Sequence, residues 1–367
     1  MGLSLDGPAA DQVEITFIGP GYGECCLVHL GSSHWVIIDS CIGASGYPAA
    51  IEYLMDIGVD PPTSVQLIIA THWHDDHIAG LAETVRICSS AQFCCSAALS
   101  RSEFLANLAP YNERTNFSGG SGVSEIFEIM EELKATTRRN PVRALASRLV
   151  KKFEASRFAH SGDCEIWTLS PSDAQFEISL QEIGRLVPEL NWTKRRMPSQ
   201  RPNHLSVVTF IKIGTVSALF GADLEETTNP ETGWSAIVKS TSRPQIRCQV
   251  FKIPHHGSVT GHSDDVWAQM LEAKPIAVAT NYVAGRKPLP TREDIVRISA
   301  LAGEFYLTSS NQSKAARKRE PAVEKTIREV GKLASIASPA GFVRLRNGGS
   351  LSPDQWRAEL SGLAHKK

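Results

Sequence analysis

Residues 72–77, His-Trp-His-Asp-Asp-His, pack three imidazoles and two carboxylates into six positions. Nitrogen and oxygen donors at this density suit Zn2+, Mn2+ or Fe, the ions with which hydrolases activate water. The run follows Thr71 and the apolar stretch 65–70, which reads as a strand. With extended geometry carried past the strand end, His72, His74 and Asp76 share one face and His77 swings in as the chain turns. Asp75 then faces away, and Trp73 packs. Two later stretches repeat the form of an apolar strand followed by donors. One is Leu219-Phe220-Gly221-Ala222-Asp223; the other is 249–253 followed by Pro254-His255-His256-Gly257. Taken singly, Asp223 could be a turn residue and the histidine pair a polar loop. Each adds residues of metal-ligating type at a further strand end.

The elements that must position these residues alternate. Residues 13–18, 26–30, 35–38 and 65–70 read as strands rich in Val and Ile, and 48–57 has helical spacing with Gly58 as a stop. That order predicts a layered α/β fold. The texture changes over about 100–160. A Gly/Ser loop at 116–124 leads to a helix predicted over 124–137 with Ser124 as its cap, and 141–158 reads as a second amphipathic helix. We read this stretch as a helical insertion. Strands resume at 165–169, 206–213, 216–220, 249–253, 276–280 and 305–308, with a helix at 291–301 and a closing hairpin from 341–345 and 356–360. Residues 311–332 are polar and expected to be exposed, and no internal repeat is visible in the sequence. The expectation is one domain, 1–367, with its core at about 12–310 and an extension at about 311–367.

Composition sets few limits. Of 367 residues, 42% are hydrophobic and 21% charged, and the formal net charge of -1 makes no general demand for nucleic acid or an acidic membrane. No apolar run reaches the ~20 residues of a membrane span. The eight cysteines form no C-x-x-C unit, and the N-terminal residues do not read as a signal peptide. A cytoplasmic protein with reduced, buried thiols and no membrane partner is expected.

The strand-ending motifs together resemble the metallo-β-lactamase superfamily. His72-x-His74-x-Asp76-His77 is similar to its signature, Ile38-Asp39-Ser40 to its early strand-ending Asp, and Gly221-Ala222-Asp223 to the strand end bearing a bridging Asp. Ile253-Pro254-His255-His256-Gly257-Ser258 resembles the late His motif of the ComEC-type branch, related to DNA-uptake proteins. Asn203-His204-Leu205-Ser206, Thr168-Leu169-Ser170-Pro171 and Lys287-Pro288 are further likenesses. The resemblance implies a four-layer αββα sandwich holding two divalent cations, Zn2+ first, with Mn2+ or Fe as alternatives. It implies His72 and His74 on the first cation, Asp76 and His77 on the second, and Asp223 bridging. His255 or His256 completes the second site; we take His255 as ligand and His256 as the residue that meets substrate or donates a proton. Asp76 serves the chemistry as well as the metal. The first cation's third ligand is His204, or the site is weaker with Asn203 in its place. Asp39 would hold a ligand histidine by its other nitrogen, and Asn203 and Lys287 would support ligands or contact substrate.

A phosphodiesterase or nuclease acting on nucleic acid or a nucleotide, through a hydroxide activated by two metals, is the leading expectation. A hydrolase of a lactone, thioester or amide is the alternative, and a non-catalytic metal-binding regulatory subunit a third. Basic residues give the first modest support. Lys134, Arg138, Arg139, Arg143, Arg148, Lys151, Lys152 and Arg157 are opposed between 134 and 157 only by Glu154, and Lys194, Arg195, Arg196 and Arg201 precede Asn203. A solvated helix face would look the same.

Overall fold

A computed structural model describes residues 6–99, 122–136, 140–184, 202–285, 287–310 and 340–367. Two eight-stranded sheets face each other. The first takes β1 (Val13–Gly19), β2 (Cys25–His29), β3 (Trp35–Ile38), β4 (Val65–Ala70), β5 (Gln92–Ser96) and β6 (Val142–Ala144) from the N-terminal half. The second takes β7 (Arg148–Phe153), β8 (Cys164–Thr168), β9 (Thr209–Ile213), β10 (Val216–Phe220), β11 (Cys248–Lys252), β12 (Leu271–Ala279) and β13 (Glu304–Leu307). The C-terminal strands β14 (Gly341–Asn347) and β15 (Trp356–Ser361) extend the first sheet beside β1, while β16 (His365–Lys366) pairs with β13 in the second. The closing hairpin read from the sequence is therefore present, and the chain after it straps the two sheets together.

Both sheets change from antiparallel to parallel at the same place in their order. β1-β2-β3 and β8-β9-β10 are antiparallel, whereas β3-β4-β5-β6 and β10-β11-β12-β13 are parallel. A topological duplication is thus built from halves whose sequences show no repeat. Parallel strands buried on both faces read as near-continuous apolar runs, and Val65-Gln66-Leu67-Ile68-Ile69-Ala70 in β4 is one, broken only by the partly buried Gln66.

Three apolar layers hold the sandwich. Phe17, Val28, Val36, Ile69, Ile211, Phe220, Val250 and Val278 meet between the sheets. Outside the first sheet, Trp35, Ile37 and Ile68 pack beneath helices Ala49–Asp56, Leu81–Ile87 and Gly122–Ala135. Outside the second, Phe251, Ala277 and Phe305 lie beneath helices Gly233–Lys239, Asp264–Gln269 and Arg292–Leu301. Hence the architecture is αββα.

The segment read as a second helix over 141–158 is instead β6, a turn at Ser147 (φ 50°), and β7. Its apolar residues fit helical spacing, but β5 and β8 each offer an unpaired edge, and pairing there overrides local preference. The helix expected from Ser124 begins at Gly122, where Asp75 Oδ1 accepts from the Gly122 N–H at 2.5 Å. Of the apolar residues whose helical spacing suggests a buried face, Ile126, Ile129, Met130 and Leu133 are buried, while Phe127 is only half-buried. All eight cysteines are buried and free. Residues 311–332 and the basic residues 194–201 lie outside the described residues, as do Arg138 and Arg139. Among the described residues no helix is long and apolar enough to cross a membrane.

Candidate metal centre

The donors collect at the C-terminal ends of β3, β4, β10 and β11, where loops leave parallel strands and ligands commonly bind. The turns there are forced: Asp39, Ala222, His255 and His256 all have positive φ (61°, 47°, 47° and 51°). Left-handed backbone at non-glycine residues persists where surrounding structure over-determines it, and such positions gather at functional sites.

Hydrogen bonds to the rings fix which nitrogen each histidine presents. Asp39 Oδ2 lies 2.7 Å from His77 Nδ1 and accepts from Thr71 Oγ1 at 2.7 Å, while Oδ1 accepts from the Thr71 N–H at 2.8 Å. The carboxylate holds the proton of His77 on Nδ1 and turns its Nε2 lone pair inward. Thr71 Oγ1, already donating to Asp39, accepts from His72 Nδ1 at 3.0 Å, so His72 also presents Nε2. The Thr280 carbonyl, 3.1 Å from His256 Nδ1, does the same for His256.

Two groups result. His72 Nε2 and His74 Nδ1 face each other at 3.2 Å, and with Asp223 they form one set spaced to hold a cation. His77 Nε2 lies 3.2 Å from Asp223 Oδ1, and His256 Nε2 lies 3.5 Å from Asp223 Oδ2 and 3.1 Å from Asp76 Oδ2. His77, His256 and Asp223, with Glu24 nearby, form the second set. Bonds of ~2.0–2.1 Å to one tetrahedral cation would put neighbouring donor atoms ~3.3 Å apart. The separations of 3.2 Å match this.

A metal also fits the charge and the orphaned atoms. His77 Nε2 and Asp223 Oδ1 are buried without a hydrogen bond, which is expensive unless something else satisfies them. Glu24, Asp39, Asp76 and Asp223 are all buried, against one buried lysine here, Lys252. Four negative charges and one positive leave -3, which apolar surroundings do not tolerate unmatched and two dications can offset. Without cations the histidines carry the imbalance. Burial alone would lower the His77 pKa, but Asp223, Glu24, Asp39 and Asp76 raise it well above the ordinary imidazole value. Conversely burial would raise Asp223 and Asp76, and beside His77 and His256 both are held below the usual carboxylate range. Burial keeps His72 and His74 below the ordinary value, as neutral ligands require.

Of the residues singled out in the sequence, His72, His74, Asp76, His77 and Asp223 converge, with Asp39 behind His77. His256 rather than His255 faces Asp76 and Asp223, whereas the sequence reading gave His255 the ligand role. His255 points to the rim, its Nδ1 3.0 Å from Glu225 Oε1 and 2.7 Å from Thr260 Oγ1. His204 also turns to Glu225, with Nε2 3.4 Å from Oε2, and lies outside both cation-holding groups. Burial would lower His255, but its hydrogen bond to Glu225 raises it, and hydrogen bonds from His204 and His255 hold Glu225 low. Asn203 Nδ2 stands 3.3 Å from His255 Nε2, and Asn203 Oδ1 is buried without a partner. An amide flip would let that oxygen accept from a protonated His255. Lys287 is exposed.

Glu24, Lys252, Glu225 and Thr280 were missed. A lysine in the apolar strand Cys248–Lys252 and a glutamate between Gly23 and Cys25 were the available signals, since buried charges need partners. Around the opening, Tyr282 stacks on His256 (ring centroids 5.1 Å apart), and the half-exposed Tyr22 leans on Tyr282 (5.8 Å). Burial, then Asp75 and Asp76, push the Tyr22 hydroxyl up to about 12.

Residues 18–102 match the family model described as "Metallo-beta-lactamase superfamily". The fold is the metallo-β-lactamase sandwich. The match spans 85 of 367 residues, taking in β2 to β5 with Asp39 and His72–His77. No curated protein sequence matches the chain. Among solved structures, the metallo-β-lactamase fold protein YhfI from Bacillus subtilis is 12% identical, with a TM-score of 0.33, 66% of this chain and 70% of that chain covered. A metallo-β-lactamase HARLDQ motif mutant from Cronobacter sakazakii is 11% identical, with a TM-score of 0.35 and coverage of 65% and 75%. MEM-A1, a subclass B3 metallo-β-lactamase from a soil metagenome library, is 12% identical, with a TM-score of 0.33 and coverage of 66% and 78%. Likenesses this distant have no bearing on what a metallo-β-lactamase sandwich with these loops acts upon.

Proposed function

We propose that the chain is a metal-dependent hydrolase of phosphodiesters, acting on nucleic acid or a nucleotide. The observation that carries the proposal is the position of Asp223 between two sets of imidazoles, His72 with His74 and His77 with His256. Two divalent cations bound there would activate water near neutral pH and clamp both the attacking and leaving oxygens of a phosphodiester. The chain's own residues do the rest. Asp39 and the Thr280 carbonyl hold the rings of His77 and His256 by Nδ1, and Asp76 lies against His256 Nε2. In this reading His256 takes the ligand role and His255 the proton-handling one, since Glu225 favours its charged form at the rim. Tyr22 and Tyr282 offer a face on which a base could lie. Arg143, Arg148, Lys151 and Lys152 fall on the edge strands β6 and β7, where they are compatible with phosphate contact. The likeness of the His255-His256 and Asn203-His204 motifs to the ComEC-type branch supports the same substrate class.

The test is turnover of bis(p-nitrophenyl) phosphate and of single-stranded oligonucleotides with added Mn2+ or Zn2+, beside a panel of lactones, thioesters and lactams. Phosphodiester hydrolysis that disappears in His74→Ala and Asp223→Ala is expected. Turnover confined to the lactone, thioester or lactam panel, or none at all by protein carrying two metals, would overturn the proposal.

A further inference from the structure

Glu24 and Lys252 are buried ionisable groups beside the donor sets, and the proposed chemistry gives neither a role. Glu24 stands just before β2 in the first sheet, and Lys252 ends β11 in the second. They form an ion pair between the sheets, directly behind the donor cluster. Each also reaches a ligand. Lys252 Nζ donates to the Ala222 carbonyl at 3.2 Å, in the left-handed turn that delivers Asp223. Glu24 accepts from Thr280 Oγ1, and its Oε2 lies 3.5 Å from His256 Nδ1. The Thr280 carbonyl receives the same Nδ1 proton. Glu24 Oε1 lies 3.6 Å from His77 Nδ1, and the Glu24 N–H donates to the Asp76 carbonyl at 2.8 Å.

Spacing alone would allow Glu24 to be a ligand itself. Its contacts argue otherwise. Its oxygens lie on the Nδ1 edges of His77 and His256, and those edges are already occupied by Asp39 and the Thr280 carbonyl. The inward Nε2 atoms meet Asp223 and Asp76 instead. A cation on the Nδ1 side would also sit against the Lys252 ammonium, which repels it.

We propose that Glu24 and Lys252 are a positioning pair for the second cation, the carboxylate aligning His256 through its Nδ1 edge and Thr280, the ammonium holding the turn before Asp223. The pair's charges cancel, so it orients ligands across the two sheets without adding to the site's negative charge. The proposal rests on the metal reading above.

The experiment titrates the full-length protein with Co2+, following the visible absorption, with Zn2+ competition for affinity. Glu24→Gln alone strands a buried ammonium, so the informative variant is Glu24→Gln/Lys252→Met, neutral and of similar volume. Wild type is expected to take two cations. The double variant is expected to bind the second cation about 10–100-fold more weakly, with an altered Co2+ spectrum, and the first, which shares only Asp223 with it, less weakened. Thr280→Val, which keeps shape and removes one anchor of Glu24, is expected to weaken the second cation in the same direction, and it carries the test should the double variant not fold. Wild-type affinity and spectrum for the second cation in either variant would overturn the proposal alone. So would a Zn2+-loaded crystal structure with Glu24 bonded directly to metal. A wild type that binds no cation would overturn the proposal together with the metal reading.

Discussion

Replacing Asp39 by Asn changes one atom type in a carboxylate that meets three donors: His77 Nδ1 at 2.7 Å, Thr71 Oγ1 at 2.7 Å and the Thr71 N–H at 2.8 Å. An amide has one acceptor and one donor, so at least one of these contacts becomes donor against donor. If the mismatch falls on His77, the ring regains a partner only by moving its proton to Nε2, the nitrogen that faces Asp223 at 3.2 Å. A hydrogen bond to a charged group contributes about 1.5–3 kcal/mol net. At about 1.4 kcal/mol per decade, that is a loss of roughly 10–100-fold in affinity, the range seen for partners that orient metal-bound histidines. Zn2+ titration against a chromophoric chelator measures it. Weakening is expected chiefly at the cation held by His77, with the His72–His74 cation less affected. Wild-type affinity at both sites in a folded Asp39→Asn protein would refute the reasoning.

The two adjacent histidines separate cleanly. His256→Ala is expected to lose one metal per chain by elemental analysis, whereas His255→Ala keeps both and loses about 10²–10⁴-fold in kcat if it handles a proton. Gly122 sits where a Cβ would overlap the Trp73 carbonyl oxygen; Gly122→Ala is expected to destabilise by about 1–3 kcal/mol in chemical denaturation and to weaken metal binding by shifting the His72–His77 loop. His29 gives a pH prediction away from the site. Burial lowers its pKa from 6.5 to about 3, with Nδ1 facing the Gln12 carbonyl and Nε2 accepting from the Ser33 N–H. Between those values the unfolded chain binds the proton and the folded chain does not. Stability is therefore lost as pH falls below about 6.5, by no more than ~5 kcal/mol by pH 3. His29→Gln, which offers one donor and one acceptor, should flatten that part of the stability–pH curve; an unchanged curve would contradict the assignment.

How legible the site was depended on residue type and backbone. β4 and the donors after it could be read directly, because a continuous apolar run suits a strand buried on both faces, and imidazoles and carboxylates so densely clustered at its end seldom serve anything but a metal. Asp223 became readable only through its order relative to that cluster. Which of His255 and His256 turns inward could not be read: both residues have positive φ, so strand alternation does not apply. Glu24 and Lys252 were visible as charges in apolar surroundings, yet their partnership joins positions more than two hundred residues apart in different sheets. The segment 141–158 misled because Leu149, Val150 and Phe153 suit a helix face as well as an edge strand, and only the open edges of β5 and β8 decide between them. Sandwich layering followed from the alternation of strands and helices, but the matched antiparallel-to-parallel switch in both sheets is a property of pairing, invisible in a sequence without a repeat.

The most direct measurement is the divalent metal content of protein purified without chelators and reconstituted with Zn2+, for wild type and Asp223→Ala side by side. Two ions per wild-type chain are predicted, and a fall to one weakly held ion or fewer in the variant, because Asp223 touches both donor sets. A wild type that takes up none, or a variant that keeps both at full affinity, would contradict the account.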